Sequence, residues 1–178
     1  EIAQNFMEVF NDAWDHRDGY KPLRFEQAMK IIKALTPVKD PDITMFCFYD
    51  GRPIAFYINI PELNEIFKHV NGDLNLVGKL KFLWHKWRHT SNVMLGLVFG
   101  VVNDFQGRGV EGAMVDWCAR EVATLDRYDY TVLTWVGDFN PKMIRVCENL
   151  DAKLHKTLVT YRHLFDPDAP FERAPIEG

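Results

Sequence analysis

The chain has 178 residues, of which 47% are hydrophobic and 26% are charged, so it fits a globular protein of ordinary size and excludes wholesale disorder. The formal net charge of −4 argues against a nucleic-acid-binding protein, and we expect no nucleic-acid partner. The three cysteines are far apart and show no C-x-x-C spacing, which argues against a disulfide framework or a zinc ribbon. We find no signal peptide and no apolar run long enough for a transmembrane segment. We therefore expect a cytoplasmic protein without a transmembrane segment or a bound metal.

Hydrophobic periodicity divides the chain into predicted helices and strands. Apolar residues at three- and four-residue spacing mark amphipathic helices, and β-branched or aromatic runs bounded by turn residues mark strands. The predicted elements, in chain order, are helices over 4–15 and 24–35, a hairpin over 43–60 that turns at Asp50-Gly51, a helical insert over 62–89, a strand over 93–102, a helix over 107–125, a strand over 131–136, a helix over 140–149 and a strand over 153–165. A hairpin followed by strand–helix–strand units predicts a mixed central sheet flanked by helices, of the α/β or α+β class.

The element order also predicts the domain organisation. We expect one domain over residues 1–165, which contains the helical insert over 62–89, and a proline-rich C-terminal tail over 166–178. Because the chain begins at Glu1 rather than at Met, we expect it to be a processed product or a piece of something longer. Of these, we expect the C-terminal part of a longer protein.

The most informative residues follow the uncharged strand over 93–102, where a glycine-rich loop leads into a helix. This loop contains Gln106, Gly107 and Gly109. Such a loop presents backbone N–H groups at a helix N-terminus, where an anion is favoured. The Walker pattern is absent, because no Gly-Lys-Ser/Thr follows the loop. The letters also satisfy G-x-G-x-x-G, but a hairpin precedes the strand and no acidic residue ends the next strand, so a dinucleotide site is disfavoured.

The spacing Gln106-x-x-Gly109 between a strand and a helix resembles the coenzyme A signature of the GNAT N-acetyltransferase superfamily. Further motifs resemble a bacterial GNAT-like branch of longer proteins. They are Asn11-x-Ala13-Trp14, Gly19-Tyr20-x-Pro22, Pro61-x-Leu63-Asn64, Gly109-Val110-Glu111-Gly112-Ala113 and Trp135-x-x-x-x-Asn140. The resemblance implies a GNAT-like acyl-CoA N-acyltransferase fold, with residues 62–89 inserted between the family's third and fourth strands.

The resemblance also implies a site for acetyl-CoA or another acyl-CoA as cosubstrate. In GNAT proteins the fourth strand splays from the fifth, and the pantetheine arm lies in that gap. The implied contacts are the backbone groups of Gly100, Val101 and Val102 for the pantetheine, the N–H groups of Gln106, Gly107, Arg108, Gly109, Val110 and Glu111 for the pyrophosphate, and Asn140 for the other side of the arm. Two positions depart from the family, because Glu111 replaces a usual Gly or Ala and Cys147 replaces a frequent general-acid tyrosine.

The catalytic residues are not identified by the sequence. Cys147, Glu26 and Glu62 are weak candidates, and a buried inert thiol is the favoured interpretation of Cys147. We predict an acyl-CoA-dependent N-acyltransferase that acts on a small amine or amino acid. Two alternatives stay open: a degenerate domain that binds coenzyme A or a partner without catalysis, and an N-acyl amino acid synthase that uses acyl carrier protein. The resemblance also leaves a dimer open.

The helical insert carries Trp84 and Trp87 among basic side chains, and three interpretations of it stay open. The insert could be a solvated helix whose tryptophans belong to the core. It could be a lid over the acyl or acceptor pocket. It could also be a surface that meets a membrane or an acyl carrier protein.

Overall fold

The computed structural model describes residues 1–16, 19–166 and 168–170. The chain divides into two compact units, Glu1–Thr134 and Trp135–Gly178. The helices and strands are α1 (Ile2–Trp14), α2 (Phe25–Leu35), β1 (Thr44–Tyr49), β2 (Arg52–Pro61), α3 (Asn64–Phe67), α4 (Leu76–Trp87), β3 (Val93–Val101), α5 (Val110–Leu125), β4 (Tyr130–Leu133) and α6 (Pro141–Asn149).

In the first unit, the described strands form a mixed sheet in the order β1-β2-β3-β4. β1 and β2 form the predicted antiparallel hairpin, whose turn residues Asp50 and Gly51 both have positive φ, as a tight two-residue turn requires. β2 pairs antiparallel with β3, and β3 pairs parallel with β4. The predicted mixed α/β fold class is therefore confirmed.

The sheet is covered by helices on both faces, because successive residues of a strand point to opposite sides. Phe56 and Ile58 of β2 join a buried cluster with residues of α1 and α2. Tyr57 joins a second buried cluster with Met114 and Cys118 of α5. β2 is buried along almost its whole length, so it forms the centre of the core that supports β3.

Two predicted strands differ from the structure. The strand predicted over 131–136 ends at Leu133. The strand predicted over 153–165 is wrong, since none of these residues is in a strand. Most of its apolar side chains remain exposed, with Leu154 86% and Tyr161 90% exposed. A segment rich in β-branched and aromatic residues forms a strand only when a neighbouring strand satisfies its backbone groups, and the described residues supply no such neighbour here.

The helical insert is confirmed as the pair α3 and α4, and it lies at one end of the sheet. Pro61 of β2 pairs with Met94, and Ala55 pairs with Val101 at the other end of β3. The insert therefore leaves and rejoins the sheet at the end opposite the glycine-rich loop. Trp84 is 53% exposed and Trp87 is 70% exposed, so the interpretation of these tryptophans as core residues is wrong.

Two further predictions concern membrane segments and the tail. Within the described ranges, no helix combines the length and the apolar character that a bilayer crossing needs. Of the predicted tail over 166–178, residues 167 and 171–178 lie outside the described residues.

Candidate functional site

The first component of the candidate site is an edge of β3. β4 pairs with β3 only from Val93 to Gly96. Thr134, which follows β4, makes the last described contacts with this edge of β3. Its N–H donates to the Gly96 main-chain oxygen at 3.1 Å, and its hydroxyl donates to the Leu97 main-chain oxygen at 3.3 Å. Beyond that point β3 continues to Val101 with β2 as its neighbour, and no described strand pairs with its other edge. An unpaired strand edge offers N–H and C=O groups to an extended ligand.

The second component is the loop that follows β3. A turn of 3-10 helix over Asn103–Phe105 leads to Gly107, with φ +69°, and to Gly109, with φ +84°. Both glycines adopt the left-handed conformation that side chains disfavour. A Cβ at either position would meet no atom within 4 Å, so this side of the loop is open. The two glycines thus serve the backbone conformation and leave room for a ligand to approach.

The loop ends at the N-terminus of α5. Gly109 is the N-cap residue of the helix, and the N–H of Ala113 donates to the Gly109 oxygen at 3.0 Å. The N–H groups of Val110, Glu111 and Gly112 precede this first helical bond, so they have no acceptor within the helix. Together with the helix dipole, they favour a negatively charged group at this position.

Gln106 uses its side chain within the protein. Its amide nitrogen donates to the Val101 oxygen at 3.0 Å and to Oδ1 of Asn103 at 3.2 Å. The side chain therefore fixes the start of the loop to the end of β3. The N–H of Val102 donates to the Ile54 oxygen at 2.9 Å, so a pantetheine contact at Val102 would have to use its carbonyl, which already accepts from the Phe105 N–H at 3.0 Å.

Glu111 contributes a negative charge and Arg108 a positive charge at the glycine-rich loop. A carboxylate oxygen of Glu111 accepts from the Gly107 N–H over a long 3.5 Å, so this acidic side chain folds back over the loop. A bound pyrophosphate would have to displace it. The Arg108 guanidinium lies 5.5 Å from the centre of the Phe105 ring, which is a cation–π distance.

A polar network that the sequence analysis missed holds the loop to α1 and to the hairpin turn. The Asp12 carboxylate accepts from the Asn103 N–H at 2.6 Å. The Asn103 side-chain amide donates to the main-chain oxygen of Asp12 and to the Asp15 carboxylate. Arg52 contacts Asp104 at 2.8 Å and Asp12 at 3.3 Å. These partners are far apart in sequence, and no local motif marks them.

Gly100 lies in β3 on the face that α1 covers. A Cβ at this position would lie 2.7 Å from the Trp14 ring and 3.0 Å from the Phe56 ring. Trp14 in turn stacks on Phe10, with ring centres 4.7 Å apart. The missing side chain of Gly100 therefore makes room for α1, and its predicted backbone contact with pantetheine remains a prediction.

Glu26 and Glu62 lie in the first unit, and no described contact joins either of them to the loop. Glu62 lies at the far end of β3, where its N–H donates to the Val93 oxygen and its carboxylate accepts from the Asn64 N–H at 2.9 Å. Glu26 is exposed in the first turn of α2. Cys147 is half-buried in α6 of the second unit, and burial raises the pKa of its thiol. Their catalytic roles remain predictions.

Asn140 belongs to the second unit and caps α6. Its side-chain oxygen accepts from the Met143 N–H at 3.0 Å, and Pro141 follows in the first turn, so both residues serve the start of this helix. A contact of Asn140 with an acyl-CoA remains a prediction. No group of three or more His, Cys, Asp or Glu side chains within residues 1–16, 19–166 and 168–170 is arranged to hold a metal ion.

Comparison with known sequences finds two bacterial relatives, whereas no protein-family model matches the chain. The bacterial ceramide synthase of Caulobacter vibrioides is 26% identical over 163 residues, which is 89% of this chain and 42% of the relative. Protein YghO of Escherichia coli K12 is 24% identical over 168 residues, which is 90% of this chain and 42% of the relative. The chain thus spans less than half the length of the curated relatives it matches.

Comparison with solved structures finds acetyltransferases. The aminoglycoside N-acetyltransferase AAC(6')-Iy in complex with CoA has a TM-score of 0.57 at 13% identity, covering 90% of this chain and 88% of that one. AAC(6')-IG of Acinetobacter haemolyticus has a TM-score of 0.56 at 12% identity, covering 92% of both chains. At such identities the likeness shows the fold. The predicted resemblance to the GNAT superfamily is therefore confirmed at the level of the fold.

Proposed function

We propose that this chain is an N-acyltransferase domain that transfers an acyl group from an acyl-CoA to an amine. The observation that carries the proposal is the continuity of three features in one segment: the unpaired edge of β3, the loop with two left-handed glycines, and the uncapped N–H groups of α5. A fold shared with CoA-bound acetyltransferases supports it.

The residues of this segment fit the two chemically different parts of an acyl-CoA. The pantetheine arm carries amides, which pair well with an unpaired strand edge over 97–101. The pyrophosphate carries negative charge, which suits the N–H groups of Gly109, Val110, Glu111 and Gly112 at the start of α5. The N–H groups of Gln106 and Arg108 already donate to the Asn103 and Phe105 oxygens at 3.4 Å. When bound, acyl-CoA supplies an activated thioester.

The chain's own contribution to the reaction is binding and polarisation. Backbone N–H groups on the edge of β3 would donate to the thioester oxygen and stabilise the negative charge that develops there. Holding the amine nitrogen against the carbonyl carbon removes the entropy cost of their encounter. The amine gains the acyl group, and coenzyme A leaves as a thiol after the carbon–sulfur bond breaks. The residue that accepts the amine proton and the residue that protonates the sulfur are not assigned.

For the acceptor we predict a small amine or amino acid. The name of one relative favours a long-chain amino alcohol as a second candidate. One relative is named a bacterial ceramide synthase, and ceramide is the amide of a long-chain amino alcohol. We therefore include a long-chain amino alcohol among the acceptors to be tested.

The experiment has two stages. Native mass spectrometry and calorimetry of the purified chain measure coenzyme A binding. Release of thiol from acetyl-CoA and long-chain acyl-CoA is then measured with amino acids, polyamines and a long-chain amino alcohol as acceptors. Acyl carrier protein that carries an acyl group is the rival donor. Binding with amine-dependent thiol release supports the proposal. Binding without release supports the degenerate alternative, and release from acyl carrier protein alone supports the synthase alternative.

A further inference from the structure

Helix α4 exposes a continuous apolar stripe. At 100° per residue its members fall within about 120° of the helix circumference, so they form one face. Each is between 53% and 76% exposed. The stripe consists of Leu76, Val77, Leu80, Leu83, Trp84 and Trp87. A contiguous exposed patch of this kind marks an interaction site far more often than scattered apolar residues do.

Basic residues flank the stripe on both sides. Lys79 and Lys86 follow one border of the stripe, and Lys81 and Arg88 follow the other. From Leu76 to Arg88 there is no acidic residue, although the whole chain has a net charge of −4. The helix therefore combines an apolar face with a strong local excess of positive charge.

The opposite face of α4 attaches the helix to the protein. Gly78 is buried, and a Cβ there would lie 1.8 Å from the Asp73 oxygen. Phe82 packs against Phe67 of α3 with ring centres 5.4 Å apart. His85 contacts the Thr90 hydroxyl at 3.0 Å. These contacts join α4 to α3 and to the residues at its two ends, and Lys86 donates to the Pro37 oxygen outside the insert. The residues of the apolar stripe take no part in them.

The aromatic residues of the stripe suit the boundary between water and lipid. The Trp84 and Trp87 rings lie 5.3 Å apart, and the Arg88 guanidinium lies 5.8 Å from the centre of the Trp84 ring. Tryptophan rings are favoured at the level of lipid headgroups, where an apolar body and a polar N–H are both satisfied. Long basic side chains beside them can extend to the headgroup phosphates.

We propose that α4 docks this protein on an anionic lipid membrane, with the stripe in the headgroup–acyl boundary and the exposed Lys79, Lys81 and Arg88 side chains on the phosphates. Lys86 instead donates to the Pro37 main-chain oxygen at 2.5 Å. Basic residues on both borders of one apolar face suit a planar negative surface. The helix would lie on the membrane and not cross it. The proposal is independent of acyl transfer, since membrane docking can be measured without any acyl donor.

The test is co-sedimentation of the chain with vesicles of phosphatidylcholine, with and without phosphatidylglycerol. We expect binding at least about tenfold stronger to the anionic vesicles, with a loss of binding as salt is raised. The paired substitution Trp84→Ala/Trp87→Ala should remove the apolar contribution, and Lys79→Glu/Lys81→Glu should remove the anionic preference. The matched controls are Trp117→Ala, an equally exposed tryptophan of α5, and Lys30→Glu/Lys33→Glu on α2. Both controls should bind as the unaltered chain does.

Several outcomes would overturn the proposal. They are no binding to anionic vesicles, equal binding to neutral vesicles, and binding that survives the paired tryptophan substitution in a protein with unchanged circular dichroism. Self-association through the stripe without vesicle binding would identify a second copy as the partner, and capture of acyl carrier protein without vesicle binding would identify that protein. If the tryptophan variant does not fold, Leu76→Ser/Leu80→Ser alters two other exposed residues and tests the same face.

Discussion

The side-chain amide of Gln106 donates a hydrogen bond to the main-chain oxygen of Val101 at 3.0 Å, and so joins the start of the glycine-rich loop to the last residue of β3. The loop positions the N–H groups at the start of α5, and the end of β3 is part of the proposed pantetheine edge. One side chain therefore links the two halves of the proposed acyl-CoA site.

The first prediction removes this link. Gln106→Leu keeps a similar volume and loses both hydrogen bonds of the side-chain amide nitrogen, to Val101 and to Asn103. We expect coenzyme A to bind about tenfold more weakly, a loss of about 1.4 kcal/mol, because the loop is then less firmly held to β3. Calorimetry measures the affinity, and a thermal melt shows that the fold persists. The control is Gln4→Leu on α1, where Gln4 pairs with Glu8 on an exposed surface. Equal affinities for both variants would mean that the link does not position the loop.

The second prediction concerns Gly109, whose φ is +84°. Gly109→Ala imposes a cost of about 1–2 kcal/mol for the left-handed backbone and adds a methyl group on the open side of the loop. We expect a similar loss of stability, and a loss of coenzyme A affinity beyond detection. Gly72→Ala is a matched control, because Gly72 has φ +74° and is also open, but lies in the helical insert. Gly72→Ala should lose stability and keep its affinity. An equal effect of the two variants on affinity would contradict the proposed pyrophosphate site.

Local signals explain why most elements could be predicted. Asp50-Gly51 marks its hairpin because a tight two-residue turn needs positive φ at two adjacent residues. Asn140 and Pro141 mark the start of α6 because the cap and the first turn are adjacent in sequence. The glycine-rich loop was found in the same way, since its whole chemistry lies within one short segment.

Non-local pairing explains what could not be predicted. The segment over 153–165 has the β-branched and aromatic residues of a strand, but this composition does not reveal whether a partner strand is available. The contacts of Asp12 with Asn103 and of Arg52 with Asp104 join residues 91 and 52 positions apart. Only the folded chain brings such residues together, so the support of the loop was missed although the loop itself was found.

The third prediction tests the packing of α1 on β3. Gly100→Ala would place a methyl group 2.7 Å from the Trp14 ring, and we expect a loss of about 1–3 kcal/mol in the free energy of unfolding. Trp14→Leu makes room at that position, so the double variant should lose less than the sum of the two single changes. Urea denaturation of the three variants measures this coupling. Strict additivity would show that the Trp14 ring does not limit the space at Gly100.

The fourth prediction concerns Cys147. Burial raises the pKa of this thiol, so it stays neutral at pH 7 and gives up its proton less readily than an exposed thiol, which makes it a weaker general acid. We expect Cys147→Ala to leave turnover within about threefold and to cost about 1 kcal/mol of stability. Steady-state thiol release measures the turnover. A hundredfold loss in a folded variant would instead identify Cys147 as the general acid.

Asp40 is the centre of a buried polar cluster at the base of the sheet, away from the glycine-rich loop. Asp40 is 7% exposed, and its carboxylate accepts hydrogen bonds from the Tyr128 hydroxyl at 2.7 Å and from the Asp42 N–H at 3.1 Å. The carboxylate also forms an ion pair with Arg127 at 3.2 Å. Burial, together with the hydrogen bond to Asp40, raises the pKa of the Tyr128 phenol, which therefore remains a donor at neutral pH. One carboxylate thus satisfies two side chains that follow α5.

The last prediction separates this buried cluster from an exposed ion pair. Asp40→Ala removes the acceptor of the Tyr128 hydroxyl. It also leaves Asp42 as the one described carboxylate partner of the Arg127 guanidinium. We therefore expect a loss of about 3–5 kcal/mol in the free energy of unfolding. Asp116→Ala is the matched control, because Asp116 pairs with Arg120 at 2.9 Å with both side chains well exposed, and its loss should be within about 1 kcal/mol. Urea denaturation at neutral pH measures both. Coenzyme A affinity should be unchanged in whatever fraction of the Asp40 variant stays folded, since the cluster lies at the other end of β3 from the loop. A small, equal loss in the two variants would mean that water reaches Asp40 as readily as it reaches Asp116, and the cluster would then not be part of the core.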